Sequence, residues 1–549
     1  MTKRNVSIFS IALFLLFTAA ASAQVTVVKD IVVGTKGACQ DTFSMMTVGT
    51  KTFFTANNGV TGNELWVTDG TDAGTKLVKD IYAGALSSNP QYFMQLNNAL
   101  IFFAQTAANG LELWKSDGTA AGTVLVKDIN VGTASSFYTT SVDNPTIVFN
   151  NQLFFIADNG AGFNNMELWK TDGTAAGTVL VKDIASVGGS FPSLFTAYNG
   201  KFYMVEARGS LWQSDGTTAG TTLAKAFSSV IALIVFKNEL ILAADDNTGK
   251  GIELWKINGS LYSFLKDVDT RPNFSGLQPT LNTREPRFIT YGDYVYFPAT
   301  NAINGDELWR TDGTTAGTTL FKEVRTGIAG YPPQNFRIVK NALYYKCEDI
   351  NQKLTLFKSD GTAAGTKPVL ALSGENIRFS LPTYFHVHKD LLYMNPSPFF
   401  GKQLWRSDGT DAGTVKLASS NTEYGLQPEN FVSLGDKLLF RGETVEKGFE
   451  LMMYSPTTAV ADVPIKNNNV QISPNPVHHD VQIDVKATDT AMAENGTFDL
   501  TNSQGQTVKT GKLTSKSHKL NCADLPNGLY LLTIQTAAWQ SVKKVVVQH

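Results

Sequence analysis

Seven aspartates occupy one position of a recurring motif: Asp69, Asp117, Asp172, Asp215, Asp312, Asp360 and Asp408, each followed by Gly and Thr. Carboxylates at a fixed spacing suit calcium, a hard cation that takes oxygen ligands, or the hydroxyls of a substrate. An Asp-Gly-Thr triplet equally suits an Asx-type turn, whose carboxylate accepts backbone N–H groups while the glycine takes positive φ. A catalytic group need occur only once, whereas an architectural one recurs in every unit. The turn is therefore the expectation. Calcium is the one metal these carboxylates would suit, and no motif requires a cofactor.

Tryptophan recurs with them. Trp66, Trp114, Trp169, Trp212, Trp255, Trp309 and Trp405 are seven of the eight tryptophans of the chain. On a surface such rings would stack on sugars. Phe357 and Met452 replace Trp at the same position, which fits a buried core position better.

A catalytic site should break the repeat, so it belongs among the departures from it. The loop from Asp158 to Asn165 and the insertion from Thr270 to Arg287 lengthen two units, and the insertion carries Arg271, Arg284, Glu285 and Arg287, which could meet an anion. Surface loops are the ordinary outcome. His386 and His388 share one face of a strand, as two metal ligands would, but no third ligand is suggested and no metal site is expected. Cys39, Cys347 and Cys522 are too few and scattered for a disulfide framework. No nucleophile elbow, phosphate loop or zinc signature occurs. Paired carboxylates of a glycosidase remain open, because their spacing is spatial rather than sequential. No catalytic residue is named, and the binding residues are unknown at this stage.

The elements that position these residues follow from the repeat itself. The Trp position falls at 66, 114, 169, 212, 255, 309, 357, 405 and 452. In the unit containing Trp114, Gln91 to Leu96 and Ala99 to Gln105 read as two strands, Leu111 to Ser116 as a third, and Thr123 to Ile129 as a fourth. β-Branched and aromatic runs bounded by Asn, Asp and Gly give this reading, and no window has a helical period. Four strands in roughly 50 residues is the size of a propeller blade. The fold class is all-β: a β-propeller of about nine, alternatively eight, four-stranded blades, with a small C-terminal β-sandwich. A β-solenoid or a string of sandwiches fits the unit size less well. The pairs Lys79-Asp80, Lys127-Asp128 and Lys182-Asp183 look like solvated strand ends.

The chain start, Val25 to Ile31, copies a fourth strand without its three companions, while Phe431 to Tyr454 supplies earlier strands without a fourth. Joining them would close the ring and remove two sheet edges. The expected division is a signal peptide at 1–23, the propeller at 24–462 closed by the strand at 25–31, a linker at 463–470, and a C-terminal domain at 471–549. The leader has Lys3 and Arg4, an apolar stretch, and small residues before a cut between Ala23 and Gln24. No later stretch is long and apolar enough to span a bilayer as a helix. With 46 basic and 48 acidic residues, no charge asymmetry argues for nucleic acid.

Two resemblances follow from these motifs. Glu64-Leu65-Trp66 through Asp69-Gly70-Thr71 and its copies resemble the ELWxxDGT repeat family of secreted bacterial proteins, over about residues 25 to 460. Ser473-Pro474-Asn475-Pro476, Leu525 to Tyr530 (with Gly528) and Lys543 to Val547 resemble the type A C-terminal sorting domain of the type IX secretion system. The second resemblance implies a Gram-negative producer and the type IX machinery as partner, with a destination outside the cell or on the outer-membrane surface. The expected function is a secreted or surface-displayed propeller that binds an extracellular glycan or protein. The alternative is a glycan-active hydrolase or lyase on the same scaffold, which would need a non-repeating polar cluster on the channel or on one face.

Overall fold

The computed structural model describes residues 24–39, 43–138, 146–162, 164–185, 187–277, 287–324, 327, 331–351, 353–369, 372, 384–396, 402–418, 426–455, 470–485, 497–502, 507–513, 515, 517–535 and 540–549. The chain divides into a repeat unit, Val25–Ser455, and a second unit containing Pro456–His549.

Within the repeat unit every described element is a strand, and the strands form nine four-stranded sheets. In blade 2 they are Gln91–Leu96, Ala99–Ala104, Glu112–Ser116 and Val124–Lys127. Each strand pairs antiparallel with the next. Asn at positive φ in the tight turns, such as Asn97, tolerates the left-handed backbone that these hairpins need. Eight sheets are built from consecutive strands. The ninth combines Glu429–Leu434, Lys437–Thr444 and Gly448–Ser455 with Gln24–Val27 from the start of the chain. First strands touch in most successive sheets, and that of sheet 9 touches those of sheets 8 and 1. The array is thus a nine-bladed ring rather than an eight-bladed one.

The core lies between blades. Adjacent residues of a second strand point to opposite faces, so Phe53 packs toward blade 2 and Phe54 toward blade 9. The tryptophan of each third strand fills the gap to the preceding blade: Trp114 against Phe53 and Leu65, Trp309 against Ile241 and Leu254. Six of the seven are buried, while Trp212 is half-buried. Phe357 takes the same place between blades 6 and 7. Burying a large apolar side chain contributes roughly 2–3 kcal/mol, so one such residue per interface is a main reason that a two-faced sheet accepts neighbours on both sides.

The sequence reading differs from the structure in three places. First strands are not uniformly regular: bulges interrupt those of blades 2, 4, 5, 7 and 9, with Tyr92, Leu194, Asn335 and Asn430 at positive φ in blades 2, 4, 7 and 9. Two of the three Lys-Asp pairs, Lys79-Asp80 and Lys127-Asp128, are half-buried rather than solvated, whereas Asp183 is exposed. Lys79 and Lys127 donate to the carbonyls of Thr123 and Thr178 in the following blade, at 2.9 and 2.7 Å, and Asp128 accepts from Gly132 N–H. The opening strand is also shorter than 25–31, ending at Val27 with Val28 N–H on the Leu451 carbonyl.

The second unit has two sheets of strands: three strands (Val470–Ser473, Asp480–Val485, Ser517–Asn521) and four (Thr497–Thr501, Thr507–Lys512, Gly528–Gln535, Gln540–Val547). They share a core that includes Val481, Ile483, Leu500, Leu532 and Val545. Val470, placed in the linker by the sequence reading, opens the first strand and is buried.

Candidate functional site

The seven Asp-Gly-Thr turns share one geometry. In blade 3, Asp172 Oδ1 accepts from the amide and hydroxyl of Thr174 at 2.8 and 2.7 Å. Thr174 Oγ1 accepts from Gly177 N–H, and Thr178 Oγ1 donates to the Thr174 carbonyl. The same bonds recur at Asp69, Asp117, Asp215, Asp312, Asp360 and Asp408. Donation by the Thr hydroxyl and amide stabilises the charged form, so these carboxyls titrate below their usual range. The first glycine, Gly173, has φ +87°, whereas Gly177 is required by space, since a Cβ there would overlap the Asp172 carboxylate.

Each turn also receives a cation from its neighbour. Lys115 donates to the Gly173 carbonyl at 2.8 Å, Lys170 to Gly216 at 3.0 Å and Lys358 to Gly409 at 3.2 Å.

The glutamate of the motif was not singled out in the sequence, and it is the more unusual group. Glu64, Glu112, Glu167, Glu253, Glu307 and Glu450 are all buried. Glu112 accepts from the amides of Ile129, Asn130 and Ser136, and Glu253 from Val268, Asp269 and Gly276. Each ties the connector leaving its own blade's fourth strand back onto its third. Burial outweighs the donated bonds and pushes the carboxyls up, Glu112 and Glu450 to about 7 and Glu253 to about 8. A Glu flanked by Leu-Trp on a strand was the available signal.

The described parts of the inserted segments have their own partners. Asp158 accepts from Gly160 and Asn165 N–H. Arg271 pairs with Asp269 and lies 4.1 Å over the Phe274 ring. Arg287 lines a shallow hollow with Ile231, Leu277, Phe288 and Pro298; Arg284 and Glu285 lie outside the described residues. Cys39, Cys347 and Cys522 are buried free thiols.

One polar cluster breaks the repeat. On the first strands of blades 8 and 9, His386 Nε2 and His388 Nδ1 each lie 2.9 Å from Ser433 Oγ, and His388 Nε2 is 3.2 Å from the Asp436 carbonyl oxygen. Burial lowers both imidazoles, His386 to about 4. Nearby, Arg337 donates to the carbonyls of Phe336 and Phe385. Among the described residues no three His, Cys, Asp or Glu side chains group as metal ligands would.

In the second unit Asn475, just past the first strand, is tied to the last strand by donating to the Lys544 carbonyl and accepting from Val546 N–H. Pro474 and Pro476 flank it. Tyr530, two residues into the strand that Gly528 opens, donates to the Pro526 carbonyl at 2.8 Å. Ala23 lies outside the described residues, and Gln24 begins the first strand.

Residues 471–548 match the family model described as secretion system C-terminal sorting domain. No curated protein matches the chain. Among solved structures the chain is similar to the computationally designed protein Ika8, at 12% identity over 71% of this chain and 98% of that one, with TM-score 0.37. It is also similar to PorZ, an essential bacterial surface component of the type-IX secretion system of Porphyromonas gingivalis, at 12% identity over 92% and 75%, with TM-score 0.34. A prolyl endopeptidase gives 10% identity over 67% and 55%, with TM-score 0.34. Overlaps this loose carry no functional argument, and the ring stands on its own sheets. No helix among the described residues is long and apolar enough to cross a membrane. The matched segment implies passage to the cell surface or the extracellular space: residues 471–548 are a type IX secretion C-terminal sorting domain.

Proposed function

We propose that the chain is an ELWxxDGT repeat protein that works outside the cell as a propeller-shaped binding module, with a protein rather than a glycan as its ligand. The observation that carries this reading is where the exposed aliphatic side chains gather. Strands alternate in direction within a blade, so the loop between the second and third strands and the connector after the fourth share one end. Val33, Val131 and Val187, in equivalent connectors, are 89, 83 and 78% exposed, and Val60, Ile303 and Ile350 stand out from the inner loops. Asn58 Oδ1 accepts from Val60 N–H, and Asn301 Oδ1 from Ile303 N–H, so the turns hold these side chains outward. The opposite end carries the Asp-Gly-Thr turns. Isolated aliphatic tips on one face suit a protein contact, whereas sugars stack on aromatic faces and the motif tryptophans are largely buried.

The mature chain should be screened against glycan arrays and against extracellular proteins. Capture of a protein that is lost with Val131→Asp and Val187→Asp supports the reading; specific glycan binding unaffected by these changes overturns the choice of ligand. The glycan-active alternative predicts turnover in the same screen.

A further inference from the structure

We propose that Ser433 is a nucleophile for acyl transfer, with His388 as its general base and His386 as hydrogen-bond donor to the developing oxyanion. This goes beyond the binding reading and does not rest on it. The Asp436 carbonyl can only accept, so His388 Nε2 carries its proton and Nδ1 presents a lone pair to Ser433 Oγ. The hydroxyl therefore donates to His388, and its own lone pair accepts from His386 Nε2–H. One hydroxyl is thus held by a base that is itself oriented, with an N–H on its other side, which is the arrangement an activated serine needs.

The trio belongs to this blade interface alone. The register equivalents of Ser433, counted back from the hairpin turn, are Thr47, Gln95, Val148, Ala197, Val235, Thr290, Ile338 and Val387. No histidine accompanies them elsewhere, because all other histidines lie in the second unit. Ser433 and His386 are half-buried while His388 is buried, so the orienting group is shielded and the reacting one reachable. The groups facing the pair are neutral or already engaged: Arg337 on backbone carbonyls, Lys389 on Asp436. Burial keeps both imidazoles unprotonated at neutral pH.

In the reaction, Ser433 Oγ bonds to the acyl carbon of an ester while its proton passes to His388 Nδ1. The ester C–O bond breaks and the alkoxide leaves with that proton. Water, deprotonated by the same nitrogen, then adds to the acyl carbon, the bond to Oγ breaks as Nδ1 returns the proton to Oγ, and the acid departs.

The test is covalent labelling of the full mature chain with a fluorophosphonate, which phosphonylates activated serines, followed by peptide mass spectrometry. An adduct on Ser433 is expected, absent in Ser433→Ala and about a hundredfold slower in His388→Gln, with circular dichroism showing that both variants fold. Absence of the adduct in folded wild type overturns the proposal, as does unchanged labelling in His388→Gln. Zinc binding by calorimetry that requires both histidines also overturns it, since the pair would then be ligands.

Discussion

Lys437 Nζ lies 3.0 Å from the carbonyl oxygen of Gly70, across 367 residues of chain. A lysine likewise joins neighbouring blades where Lys115 meets Gly173, but the contact between the last blade and the first is made from the second strand rather than the third. Beside it, Arg441 donates to the Cys39 carbonyl and Ala38 N–H donates to Glu450. The two ends of the array are thus held by side-chain bonds to backbone, as its middle is.

Removal of residues 24–31 should therefore lower the stability of the whole ring rather than fray one edge. A single, earlier thermal transition by circular dichroism is expected. A truncated chain that melts like the intact one would show that closure contributes nothing.

Asp172→Ala should cost about 1 kcal/mol, because two hydrogen bonds of an exposed turn are lost. Gly177→Ala should cost more, since its Cβ would overlap the Asp172 carboxylate. The double variant should be more stable than the sum of the two losses implies. Additive losses in urea denaturation would mean that the glycine is not there to make room.

Stability should pass through a maximum in mildly acidic solution. The motif glutamates have folded values raised by burial, Glu112 and Glu450 to about 7 and Glu253 to about 8. Their contribution is complete below the unfolded value near 4.5 and is lost as pH rises through 7 to 8. The turn aspartates have lowered values, so theirs is present above about 3.8 and lost as pH falls through the folded values. Melting temperature should be higher at pH 5 than at pH 8, and Glu253→Gln should flatten that slope. A melting temperature that rises steadily from pH 5 to pH 8 would contradict the assignment.

A chain ending at residue 462 should fold its propeller but remain inside producing cells. Recovery of the truncated protein from the medium would remove the sorting role from residues 471–548.

Much of this fold is legible because the repeat is written in residue types with local duties. Asp-Gly-Thr makes its turn from bonds within seven residues, and Trp at one spacing marks one buried position. The strand Ser517–Asn521 was not legible: its burial alternates, but with Ser, His, Lys and Asn in the pattern only Leu520 is apolar and buried. Nor were the bulges at Tyr92 and Leu194, since nothing in those side chains announces positive φ. The buried role of the glutamates was not legible because the donors are distant amides: those to Glu253 and Glu112 lie 15–24 residues away. His386 and His388 could be placed on one face, but Ser433 comes 45 or more residues later and meets them only across a blade boundary.

The composite ninth blade also sets an order of events. Eight sheets can form as their own residues become available, but Gln24–Val27 has no partner until Gly448–Ser455 has been made. The first strand made is thus among the last to be paired, and it waits as an open edge for almost the entire synthesis of the array. Closing so long a loop is slow for a free chain, but the intervening blades shorten the search by bringing the ends together on a curved frame. Until that moment the edge is open to wrong partners, and completion of the ring must follow the making of its last blade.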